Sequence, residues 1–112
     1  MTSKDALKGI VDKFNSMDEL KNDGKAWSAT KFQFKPSDSQ PYYLEFNADG
    51  SIALNDGEIQ DAKNVFTADD ATFGDVFTGK LDSMKAFLFR KLKVSGDLSS
   101  AQKLVSLLKR AQ

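Results

Sequence analysis

Apolar residues recur at helical spacing at the start of the chain, where Leu7, Ile10, Val11, Phe14 and Met17 form one stripe between lysines and aspartates. Thr2 and Asp5 have capping-box spacing ahead of the stripe, and Asp23-Gly24 closes it, so the pattern predicts an amphipathic helix. Between Trp27 and Thr67 the period changes to two. Phe32 and Phe34 share one face while Lys31, Gln33 and Lys35 share the other; Tyr42, Leu44 and Phe46 then alternate with Tyr43, Glu45 and Asn47. Asp49-Gly50 is a hairpin signal leading to Ile52 and Leu54, and Asn55-Asp56-Gly57 marks the next turn before a weaker strand around Val65 and Phe66. Three or four antiparallel strands, solvated on one face, are expected from this stretch.

Helical signals return after Thr67. Thr67 and Asp70 have capping-box spacing, and Phe73, Val76 and Phe77 share a face before Gly79. Asp82 opens a short helix carrying Met84, Phe87 and Leu88. Leu92 and Val94 alternate with Lys91, Lys93 and Ser95 as a strand. After Gly96-Asp97 comes a last helix whose apolar face, from Ala101 through Leu104, Val105, Leu107 and Leu108, is broad. The predicted fold class is α+β, a single mixed sheet of about five strands with helices on one face.

At 112 residues the chain is one domain, residues 1–112. Cysteine and histidine are both absent. That removes disulfides, thiolate zinc sites, cysteine nucleophiles, serine–histidine pairs and ordinary transition-metal sites. The carboxylates and lysines show no spacing that separates a catalytic pair from a solvated surface, so no catalytic residue and no enzyme activity is expected. Glu45-x-Asn47-x-Asp49-Gly50 with Asp56 has the outline of a calcium loop. Glutamate replaces its first aspartate and strands flank it, which favours a hairpin turn and no metal. Residues 1–14 carry too many charges for a signal peptide, and no stretch approaches a membrane span.

The zero net charge averages unlike parts: residues 1–35 sum to +2, residues 36–79 to −8 and residues 80–112 to +6. This asymmetry suits transient contact of the C-terminal third with an anionic membrane or head group, through Lys103, Lys109 and Arg110. Nucleic acid is not an expected partner, because the chain is not basic overall.

Phe73…Phe77-Thr78-Gly79-Lys80-Leu81, Ala86-Phe87, Lys91-Leu92-Lys93-Val94-Ser95-Gly96 and Lys103-Leu104 resemble, in order and spacing, the C-terminal half of the sterol carrier protein type 2 domain. Arg90 stands where that family commonly has glycine, and Asp97 replaces its usual asparagine. The chain ends Lys109-Arg110-Ala111-Gln112 rather than in a Ser-Lys-Leu peroxisomal address. The expected location is therefore cytoplasmic, or peroxisomal by resemblance.

The resemblance implies an apolar cavity between helices and sheet that takes a sterol, fatty acid or fatty acyl-coenzyme A, without a cofactor, in a monomer. Its expected lining comes from Ile10 and Phe14 in the first helix and Phe73, Val76 and Phe77 in the second helical region. Met84, Phe87 and Phe89 follow, then Leu104, Leu107 and Leu108 in the last helix, the expected cover. Two other functions suit the same fold: an adaptor module with a filled core, or a lipid-presenting domain of a larger enzyme.

Overall fold

The computed structural model describes residues 2–112. Its first apolar stripe is carried by α1 (Ser3–Asn15), begun by the expected reciprocal cap between Thr2 and Asp5. The helix breaks at Ser16-Met17 and resumes as α2 (Asp18–Gly24), followed by a 3₁₀ turn at Lys25–Trp27. The strands are β1 (Lys31–Pro36), β2 (Tyr42–Phe46), β3 (Ile52–Asp56) and β4 (Asn64–Ala68). Then come α3 (Asp70–Phe77), α4 (Ser83–Leu88), β5 (Lys93–Gly96) and α5 (Leu98–Lys109).

The sheet order is β3-β2-β1-β4-β5. The sheet is mixed and five-stranded, as expected, but the antiparallel run expected between Trp27 and Thr67 is corrected at its last strand: β4 runs parallel to β1, with Phe32 opposite Asn64 and Phe34 opposite Phe66. The chain therefore crosses from the β3 edge over the outer face of β1, and Gln33 receives that crossing. Its Nε2 donates to Tyr42 O at 2.9 Å and Gly57 O at 3.0 Å, while its Oε1 accepts from Ile59 N at 2.6 Å. Gln33 is buried despite lying on the polar face of its strand, since the crossing replaces its water with protein hydrogen bonds. Lys35–Glu58 and Lys31–Asp61 ion pairs flank it.

The inner face carries an aromatic core. Phe34 stacks on Tyr42 and on Phe66, with centroids 5.5 and 5.0 Å apart, and meets the edges of Phe73 and Phe77, both at 5.8 Å. Phe14 packs edge-on against Phe46. A buried polar knot ties three elements together. The Ser3 hydroxyl lies 2.6 Å from Tyr42 OH and donates to Asp70 Oδ1 at 2.6 Å, and Ser3 N–H donates to Asp70 Oδ2. Burial pushes the Tyr42 phenol well above its ordinary pKa. Asn15 serves the sheet edge: its amide both donates to Ile52 O and accepts from Ile52 N, each at 2.8 Å.

Two local expectations shift. Asp69, rather than Thr67, caps α3 by accepting from Thr72 N at 2.7 Å. Lys91 and Leu92 belong to a turn, not to β5, because both backbone N–H groups donate to Ala86 O.

Candidate functional site

α4 is only six residues long and packs on α3. Between it, β5 and α5 a cleft of about 420 Å³ opens to solvent. Phe66, Leu92 and Val94 form the floor, Met84 and Phe87 one wall, and Ala101 and Val105 the other. Leu98 closes one end, and the rim carries Asp82, Ser83, Gln102, Ser106 and Lys109. A second opening of about 280 Å³ adjoins the first along α5, against Ile10, Val76, Phe77, Leu81 and Leu108. Asp82, Ser83, Val105 and Lys109 line both. Val105 and Lys109 sit one helical turn apart on the same face, so a single α5 stripe connects the two clefts.

The anticipated lining residues fall into three groups. Met84 and Phe87 line the larger cleft, and Ile10, Val76, Phe77 and Leu108 the smaller. Phe14, Phe73 and Leu104 are buried in the packed core and line neither cleft; Leu107, packed at the core's margin, lines neither as well. Phe89 projects to solvent, 69% exposed.

The three C-terminal cations also separate. Lys109 lines both clefts and lies 3.5 Å from Asp82. Arg110 is paired with Asp23 at 2.7 Å and Glu19 at 3.4 Å, which fastens α5 to α2. Lys103 is exposed and lines neither cleft. Lys109 is the single cation, and Asp82 the single carboxylate, among the described lining residues. The residues sequence reasoning left out of the site were chiefly Val105, Ala101, Leu98, Leu92, Val94 and Leu81. The signal for Val105 was present in α5, whose apolar face is wider than one seam against the core requires.

The calcium-like segment is a turn: Asp49 Oδ1 accepts from Ser51 N at 3.0 Å and from Ser51 Oγ at 2.6 Å. The α5 wall is held at its start by Asn64, whose Nδ2 donates to Ser95 O and Asp97 O, and by the Asp97 cap. Hydrogen bonds from the Ser100 hydroxyl and then the Ser100 N–H hold the Asp97 carboxyl below its ordinary 3.8. A carboxyl depressed in the folded state contributes stability that is present above 3.8 and lost as pH falls through its folded value. Acid is therefore expected to lower the protection of the amides at Ser99–Ala101, measured relative to their intrinsic exchange rate at each pH. Asp97→Asn keeps a cap without the charge, so its exchange at these amides should no longer respond to that protonation.

A helix-walled apolar cleft thus opens beside the β5 edge of a five-stranded mixed sheet. A model of the SCP-2 sterol transfer family matches residues 7–109, and the chain belongs to that family. Lipid binding or transfer is thus its general role. It is 36% identical over 75 residues to the peroxisomal multifunctional enzyme A of Dictyostelium discoideum, a match covering 66% of this chain and 17% of that enzyme. In fold it is similar to the apo form of sterol carrier protein 2 from Yarrowia lipolytica, with TM-score 0.69, 23% identity and 95% and 88% of the two chains covered. It is also similar to palmitated SCP2L2 from Aedes aegypti, with TM-score 0.71, 16% identity and 96% and 95% covered. Among the described residues no helix is long and apolar enough to cross a membrane.

Proposed function

We propose that this domain is a non-catalytic carrier that desolvates the apolar part of a sterol, fatty acid or fatty acyl-coenzyme A in the cleft between α4, β5 and α5. The observation that carries the reading is the cleft itself: about 420 Å³, apolar on its floor and both walls, and continued past α5 by the Val105 stripe. Each buried methylene contributes about 0.8 kcal/mol, so a long chain binds firmly with few polar contacts. Because that force is non-directional, the cleft discriminates weakly between chains of similar length. Lys109 and Ser83, on the lining of both clefts, are placed to meet an anionic or hydroxyl head group at the junction.

The palmitated state of the Aedes aegypti neighbour supports an acyl ligand. The Dictyostelium discoideum relative supports two further points, a peroxisomal location and a second context in which such a domain presents lipid within a larger enzyme.

Native mass spectrometry of the purified protein should show a lipid-sized adduct, and a fluorescent fatty acid should be displaced by unlabelled long-chain fatty acid. Val105→Trp, which places an indole in the wall common to both clefts, should cut that binding by about tenfold or more while the protein stays folded. Equal binding by folded Val105→Trp would rule out this cleft as the site.

A further inference from the structure

Five large apolar side chains are prominently exposed among the described residues: Met84, Phe87, Leu88, Phe89 and Leu98. Four come from α4 and its C-cap and the fifth opens α5. Three of them, Met84, Phe87 and Leu98, also line the larger cleft, and Leu88 and Phe89 directly follow Phe87 in the chain, at the end of the α4 wall. Scattered surface apolar residues need no explanation, but a contiguous set at one site marks a contact surface.

The cations of the same stretch indicate what covers it. Residues 83–93 contain Lys85, Arg90, Lys91 and Lys93 and no carboxylate. All four are exposed and none makes an ion pair among the described residues, so four cations stand within nine residues with no carboxylate against them. Leu88 and Phe89 are 66% and 69% exposed and line neither cleft, so filling the cleft leaves them uncovered. Apolar side chains set among unpaired cations, on a short helix at a surface, match the acyl–headgroup boundary of an anionic bilayer in both polarity and sign.

We propose that α4 and the turn after it, residues 84–93, form a membrane-docking surface for anionic bilayers, with Leu88 and Phe89 inserted among the lipids and Lys85, Arg90, Lys91 and Lys93 at the phosphates. The cleft mouth then faces the bilayer, and an apolar ligand passes between them without crossing water. Of the C-terminal cations, Arg110 is paired with Asp23 and Glu19, Lys109 lies beside Asp82 at the junction of the clefts, and Lys103 is exposed on α5 outside residues 84–93.

Co-sedimentation with vesicles of phosphatidylcholine containing about one-third phosphatidylserine tests this, with pure phosphatidylcholine vesicles as the reference. The unmodified protein should prefer the anionic vesicles and lose that preference at high salt, as the Debye length falls from about 10 Å at 0.1 M to about 3 Å at 1 M. Leu88→Ser with Phe89→Ser should weaken vesicle binding by about tenfold or more. The same variant should leave displacement of a fluorescent fatty acid unchanged, which separates docking from occupancy of the cleft. A second variant, Arg90→Gly, Lys91→Gln and Lys93→Gln, relieves the left-handed backbone at Arg90 (φ 61°) and should lose about tenfold on anionic vesicles alone. The proposal is overturned if the unmodified protein does not sediment with anionic vesicles. It is equally overturned if folded Leu88→Ser/Phe89→Ser binds them undiminished, or if the patch instead seals a dimer that this variant dissociates.

Discussion

Gly50→Ala is expected to lose about 4 kcal/mol or more of folding stability, a large share of what a domain of this size has. Gly50 sits in the turn between β2 and β3 with φ +86°, a left-handed conformation that disfavours any side chain. Space is the harder limit. A Cβ on Gly50 would lie 1.7 Å from Lys21 O and 2.6 Å from Lys21 C, so the end of α2 rests directly on the turn. The contact is glycine on both sides, because a Cβ on Gly24 would lie 2.4 Å from Gly50 O. These obstacles are backbone atoms, and the only relief is to lift α2 off the hairpin. Gly57→Ala provides the control. It shares a positive φ, +113°, but has nothing within 4 Å, so it should lose only about 1–2 kcal/mol of conformational strain. Urea unfolding followed by the fluorescence of Trp27, packed against Phe32 and Phe46, measures both variants. Losses within 1 kcal/mol of each other would refute the close approach as the cause.

Saturating long-chain fatty acid is expected to raise the melting temperature by about 10 °C at a hundredfold excess over the dissociation constant. Mass action contributes about 2.7 kcal/mol at that excess, and each kcal/mol moves the midpoint of a domain near this length by about 4 °C. The stabilisation should be local before it is global. Slowed hydrogen exchange is expected across residues 98–109, where α5 forms one wall of the larger cleft, and in α4, the wall opposite. The Phe34 cluster, already buried without ligand, should change little. If neither melting nor exchange responds to saturating lipid, the carrier reading fails and an adaptor role takes its place.

Periodicity in the sequence identified most elements because each half-buried element here has one clear apolar face. The alternation of Phe32 and Phe34, and of Tyr42, Leu44 and Phe46, predicted strands whose inner face is the core. The parallel pairing of β4 with β1 was not legible. Val65 and Phe66 mark a strand but carry no turn that would say which neighbour it joins, and seven residues of crossing precede it in Gly57–Lys63. Gln33 was assigned to solvent by the same alternation, correctly for its face; only the crossing that covers that face removes it from water.

The candidate site was partly legible for a related reason. Helical spacing shows which residues turn inward, but not whether they meet a packed neighbour or a gap. Phe73 and Phe77 share one stripe of α3 and stack on each other, yet only Phe77 reaches a cleft. α5 was expected to act as a cover, and it is a core wall too, with Leu104 and Ala101 buried to 1% and 3% exposure. Deleting it before Ser99 would strip the sheet of part of its inner packing as well as opening the cleft.

The paired hydrogen bonds between Asn15 and Ile52 bear on how such a protein avoids polymerising. β3 is an edge strand, and at Ile52 its outward N–H and C=O are occupied by a side-chain amide that imitates one residue of a neighbouring strand. The opposite edge, β5, is four residues long, carries Lys93 and ends at Gly96. Short, charged or occupied edges give an incoming chain no template for cross-β growth. An apolar cleft open beside a sheet brings together the ingredients of aggregation; here the edge next to the cleft, β5, is the short one that begins at a lysine, and the longer β3 edge lies across the sheet from the cleft with its Ile52 groups occupied.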